Sequence, residues 1–200
     1  MEKLLSVILC GTIVCFGGGA FSSSDINRTD AFDLIDFCEA NEVHSEEELQ
    51  SVLDTYYCYT EDAYSNENQN SDEVVSFELM IDYENEYVIT TTVYRTNNTR
   101  STASGYAVQN YRSSAGFIIF TVQVDGDYYY NGSNCYTTSA TATFTPSLMS
   151  GWSSSPSAGS GKKGSKAYAK AYGTAVNGNS SYDYELYLYC DVNGNLSTNA

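Results

Sequence analysis

From Val74 onward several stretches place apolar residues at every second position, a period that strands satisfy and helices do not. Tyr182–Cys190 is the clearest case: Tyr182, Tyr184, Leu186, Leu188 and Cys190 share one face, and Asp183, Glu185, Tyr187 and Tyr189 share the other. Ala115–Val124 aligns Ile118, Phe120, Val122 and Val124, and 166–172 sets Lys166, Tyr168, Lys170 and Tyr172 against Ala167, Ala169 and Ala171. Val74–Asp82 and Glu86–Tyr94 flank Tyr83-Glu84-Asn85, a hairpin connection. Asp125-Gly126 carries a tight-turn signal before 127–130, Cys135–Thr145 is a Thr/Ala-rich strand, and Leu148–Lys163 reads as a Ser/Gly loop around Trp152 and Pro156. The expected fold is mainly β, an antiparallel β-sandwich of about seven strands.

The period is different upstream. Asp30 caps a short helix with Ala31, Leu34, Ile35 and Cys38 on its apolar face. Ser45-Glu46-Glu47-Glu48 has the form of a capping box, after which Leu49, Val52, Leu53 and Tyr56 recur at helical spacing to an end near Tyr57. A short acidic α-helical hairpin therefore precedes the strands, and residues 61–73 form a polar linker. The expected division is 1–20 leader, 21–73 acidic helical segment and linker, and 74–200 β-sandwich. Charge follows a similar boundary. Residues 21–92 hold 19 acids and one base, Arg28, whereas 93–200 hold 5 acids and 7 bases. The net charge of −16 makes nucleic acid or an anionic membrane a poor partner.

Residues 1–20 read as a secretory signal: Lys3, the apolar run Leu4–Phe16, then Gly18-Gly19-Ala20 at a cleavage site. That run is too short to span a bilayer, so the expectation is a secreted, extracellular protein with no membrane insertion after cleavage. Cleavage leaves Cys38, Cys58, Cys135 and Cys190, which allow three pairings. An oxidising compartment favours disulfides, with Cys135–Cys190 as the longer bridge and Cys38–Cys58 as a local one.

Catalytic chemistry lacks a constellation. His44 is the one histidine, no P-loop, G-x-S-x-G or H-E-x-x-H occurs, and chance carboxylate pairs are unavoidable among 25 acids. The reading is a non-enzyme with no cofactor and no metal. The run from Asp191 to Ser197 superficially follows a calcium loop, but Leu196 stands where that loop needs glycine. The 19 tyrosines are the unusual feature. Tyr128, Tyr129, Tyr130, Tyr168 and Tyr172, together with Trp152, are candidate stacking surfaces for sugar rings or contact points for a protein, and Tyr187/Tyr189 extend the set. Lys162, Lys163, Lys166 and Lys170 form the one basic cluster, suited to a polyanion, to the acidic N-terminal segment, or to guarding a sheet edge.

Asn131-Gly132-Ser133, Cys135, the Ser-rich stretch around Trp152 and the closing Cys190-Asp191, Asn193-Gly194 and Leu196-Ser197 resemble small exported β domains of Gram-positive bacteria that are themselves uncharacterised. The resemblance spans roughly residues 115–197 and implies a paired Cys135 and Cys190 and an extracellular location, with no activity attached. The order Y-x-G-S, S-A-T and A-K-A-Y-G within 130–173 is also similar to lactococcin-972-type bacteriocins. The expected function is non-catalytic binding at or outside the cell surface, to a glycan or a protein. A bacteriocin-like or toxin-like antagonist is the alternative, and a secreted hydrolase the third reading.

Overall fold

The computed structural model describes residues 32–57, 72–148 and 150–198. Two helices come first, α1 (Leu34–Ala40) and α2 (Glu46–Tyr57). The cap of α1 is Asp33, whose carboxylate accepts from the backbone N–H of Ile35 at 2.8 Å; the expected cap, Asp30, lies outside the described residues. At α2 the capping box forms with a shift of one residue. The Ser45 hydroxyl accepts from the Glu48 N–H, while the Glu48 carboxylate reaches back to the His44 N–H.

Nine strands follow: β1 (Glu73–Asp82), β2 (Tyr87–Asn98), β3 (Thr102–Ser113), β4 (Ile118–Tyr130), β5 (Cys135–Pro146), β6 (Ser157–Lys163), β7 (Lys166–Asn177), β8 (Ser180–Cys190) and β9 (Leu196–Ser197). They form two antiparallel sheets in simple meander order, β1 to β5 and β6 to β9. The sandwich is as expected, but three of its features differ from the sequence reading. β3 buries only Ala103, Gly105, Ala107 and Tyr111 along its inner side, too weak an apolar stripe to stand out. Ser157–Lys163 is a strand instead of a loop, because its backbone pairs with β7 even though its side chains carry no hydrophobic pattern. Asp125-Gly126 makes no turn; β4 runs straight through it.

The reason lies in the core. Tyr128 is 1% exposed, and its hydroxyl donates to the Leu188 carbonyl at 2.6 Å and accepts from the Ala169 N–H at 3.2 Å. Ala169 and Leu188 are directly opposed in the β7–β8 ladder, so one side chain of the larger sheet ties together two strands of the smaller one. Gly126 sits under the Tyr128 ring, and a Cβ there would overlap it. Glycine is thus required in the strand for close approach, not for a turn. Burial drives the Tyr128 phenol far above its ordinary pKa, so it stays a neutral donor.

Cys135, opening β5, and Cys190, closing β8, are both fully buried at the junction of the two sheets. The expected disulfide is not formed here: both cysteines stand as thiols, and Cys190 Sγ lies 3.5 Å from the Asp191 carbonyl. Cys38 likewise stands as a thiol, half-buried, with its pKa pushed up to about 11 by burial against a smaller opposing effect of Arg112. Its expected partner, Cys58, lies outside the described residues, as do the leader and residues 61–71 of the linker, whose expected last residue, Glu73, instead opens β1.

The helices pack on the outer side of the larger sheet, where Leu34, Leu49 and Leu53 cluster with Val88 of β2. Beneath them the guanidinium of Arg112, 4% exposed, pairs with the Glu46 carboxylate and donates to the Gly116 carbonyl at 3.1 Å. This pair anchors α2 to the end of β3. Replacing Tyr128 by Phe leaves the Ala169 N–H and Leu188 C=O short of a buried partner, and should lower unfolding free energy by about 1–3 kcal/mol in urea denaturation. A loss below a few tenths of a kcal/mol would mean the hydroxyl is not a link between the sheets.

Candidate functional site

The sequence candidates separate cleanly in space. Tyr128 is core, and Tyr130 is 8% exposed, with its hydroxyl donating to Asn98 at 2.9 Å and to the Thr99 carbonyl. Trp152 packs part-buried against the core, its ring 5.5 Å from that of Phe120. None of these three offers a ring to a ligand, because each fills space between the sheets or at their rim. Tyr129 does face outward, stacked at 5.0 Å on the exposed ring of Tyr136 across the β4–β5 ladder. That pair sits on the larger sheet, apart from the remaining candidates.

The rest converge on the outer face of the smaller sheet. Along β7 the outward residues are Lys166, Tyr168, Lys170 and Tyr172, since Ala167, Ala169 and Ala171 turn inward and are fully buried. On one side of them lies β6, where Gly161 opposes Tyr168 and Gly159 opposes Lys170. A Cβ at Gly161 would collide with the Tyr168 ring, and one at Gly159 would press on Lys170 and Tyr172. The Tyr168 ring and the Lys170 stem therefore lie down over bare glycine backbone, the arrangement by which an aromatic shields a glycine on an edge strand. On the other side, β8 presents Tyr189 opposite Tyr168 and Tyr187 opposite Lys170. Tyr187 and Tyr189 stack at 5.4 Å, and Tyr168 meets them edge-on at 5.3 and 5.9 Å. Tyr172 stands at the end of this row, 40% exposed.

A charged pair crosses the middle. Lys170 Nζ lies 2.6 Å from Glu185 Oε1, to which the Tyr187 hydroxyl also donates at 2.8 Å. The ammonium is 4.5 Å from the centre of the Tyr172 ring and 5.6 Å from that of Tyr187, within cation–π range of both. The Lys170 and Tyr187 hydrogen bonds hold the Glu185 carboxyl below its usual pKa, and the same bond raises Lys170. Tyr168 and Tyr172 are four positions apart on one strand, about 13 Å at strand rise. The face thus offers two rings with a fixed dipole of opposite charges between them.

Glu185, Gly159 and Gly161 escaped the sequence reading. An Asp/Glu in a strand and a Gly-Ser-Gly run carry no local signal; their roles come from register against β7. Lys163 shares the outer face at the hairpin end, while Lys162 is exposed on the edge strand. Among the described residues no three His, Cys, Asp or Glu side chains converge to hold a metal. Asp191 spends its carboxylate on its own loop, accepting from the N–H groups of Asn193 and Asn195 and from the Asn195 amide. No protein-family model, curated protein or solved structure matches the chain.

Folding lowers the pKa of Glu185, so the pair contributes its stability above the ordinary carboxylate range and loses it only as pH falls through the depressed value. An NMR titration of the Glu185 carboxyl should show a midpoint below that range, and Lys170→Met should move it upward. An unchanged midpoint in the variant would show that Lys170 does not hold the carboxylate.

Proposed function

We propose that this chain is an exported, non-catalytic binding protein that takes up a glycan on the outer face of its smaller sheet. The observation that supports this reading most is the Tyr168–Lys170–Tyr172 row laid over glycine, with Tyr187 and Glu185 beside it and Tyr189 buried as their support. Sugars present an apolar ring face flanked by hydroxyls, and aromatic rings interspersed with charged donors and acceptors complement that pattern. Strand-borne rings are also held in place before a ligand arrives, which lowers the entropy lost on binding. The spacing of Tyr168 and Tyr172 suits an oligosaccharide better than a single sugar.

The antagonist reading, in which residues 21–92 restrain a separable module, fits the topology less well. β1 and half of β2 fall inside that acidic segment and are paired members of the larger sheet, so a fragment starting at residue 93 lacks all of β1 and the first half of β2.

Export also assigns a chemistry to the two buried thiols. An oxidising compartment converts Cys135 and Cys190 to a disulfide as each gives up its thiol hydrogen and a disulfide-bearing oxidant is reduced to its dithiol. Such a bond closes a loop of about 55 residues and joins the sheets where Tyr128 already links them, a stabilisation of about 4 kcal/mol on chain-entropy grounds. Protein secreted through its own leader should therefore unfold at lower denaturant once reduced, and should show no alkylation of Cys135 or Cys190 when denatured without reductant. Full alkylation of both would refute the bond.

For binding, Tyr168→Ala and Tyr172→Ala should each cost about 1 kcal/mol or more, roughly fivefold in affinity for a retained polysaccharide, with the thermal midpoint little changed in Tyr172→Ala and lowered in Tyr168→Ala, which uncovers Gly161. Retention that survives both changes would move the ligand to another surface, the Tyr129–Tyr136 pair first.

A further inference from the structure

Four of the chain's nine Lys and Arg residues, Lys162, Lys163, Lys166 and Lys170, stand on the single hairpin β6–β7. Lysines on a sheet edge are commonly explained as protection against strand-to-strand association. That explanation covers Lys162 and Lys163 on β6. It does not cover Lys166 and Lys170, which belong to β7, a strand paired on both sides, although Lys170 already pairs with Glu185. Moreover, Lys163 and Lys166 are directly opposed in the ladder, either side of the two-residue connection Gly164-Ser165. Like charges in that position destabilise a hairpin. The arrangement concentrates positive charge at one end of the aromatic row in a protein whose net charge is −16. Counted along the outer side of β7, cation and ring alternate: Lys166, Tyr168, Lys170, Tyr172.

Resting on the glycan reading above, we infer that the ligand is an acidic polysaccharide carrying carboxylates on its sugar rings, bound along β7 with rings on Tyr168 and Tyr172 and carboxylates toward Lys163 and Lys166, which face outward at the turn of the β6–β7 hairpin. The alternation selects this class. A neutral glycan has no use for the lysines, and a phosphate polymer built on open-chain polyols has no ring faces for the tyrosines. Lysine serves as a mobile point charge here, without the fork geometry by which arginine fixes one orientation, which suits a polymer that can slide in register. The acids of the helices and first strands disfavour such a polymer on that side of the molecule.

The test uses the full exported chain with three immobilised probes: alginate as the uronate polymer, chitin as the neutral one and ribitol-phosphate teichoic acid as the phosphate one. The expected result is retention on alginate above the other two, weakened by salt. Lys163→Gln/Lys166→Gln should reduce affinity about tenfold, and Tyr168→Ala/Tyr172→Ala should also reduce it, with thermal midpoints recorded to exclude misfolding. Equal retention on chitin, lost with the tyrosines but indifferent to the lysines, would overturn the acidic ligand and leave the glycan face standing. Retention on teichoic acid above alginate, or retention lost with the lysines but indifferent to the tyrosines, would overturn both. So would no retention on any probe.

Discussion

One hydroxyl group sets the spacing of this sandwich. Tyr128 reaches from β4 across the interior and satisfies a donor and an acceptor on β7 and β8, at Ala169 and Leu188. A buried phenol without partners would be costly, so its presence demands that the two sheets approach in one register and at one distance. Gly126 follows from it, since the ring lies where a side chain at that position would project. The junction of Cys135 and Cys190 lies at the same place, where both are fully buried.

The same constraint shapes the outside of the smaller sheet. With Tyr128 and its aromatic neighbours filling the interior, β7 has room only for Ala167, Ala169 and Ala171 on its inner side. Its large residues are consequently on the outer side, and Tyr168, Tyr172 and the facing tyrosines of β8 assemble there. The outer face gains its rings because the inner face has little volume to offer β7. Gly159 and Gly161 complete it by letting side chains of β7 lie flat over the edge strand.

Charge is handled in two ways. On the larger sheet a cation is buried: Arg112 is covered by the helical hairpin and compensated by Glu46, an arrangement that specifies where the hairpin sits more than it adds stability. On the smaller sheet the cations stay at the surface, near the rings. The acids of α2 and of the first strands lie around the larger sheet, so the two sides of the molecule present different surfaces to a partner.

Residue order alone was sufficient for the class of fold. The two-residue period of β4, β7 and β8, the capping box at Ser45 and the helical spacing of Leu49 and Leu53 are local properties, and local sterics make them legible. The facing of Tyr182–Cys190 was legible for the same reason. Tertiary structure decided the rest. Asp125-Gly126 has the composition of a turn and is a strand, because Tyr128 needs the space. Tyr128 and Tyr130 belong to the same tyrosine run as Tyr129, yet two point inward and one outward, since a strand alternates sides and only the second sheet determines which side is inside. Gly159, Gly161 and Glu185 mean nothing until β6 and β8 are placed in register with β7. A candidate site made of cross-strand neighbours is written in hydrogen-bond pairing between distant segments, and a single chain read in order contains the partners without stating the pairing.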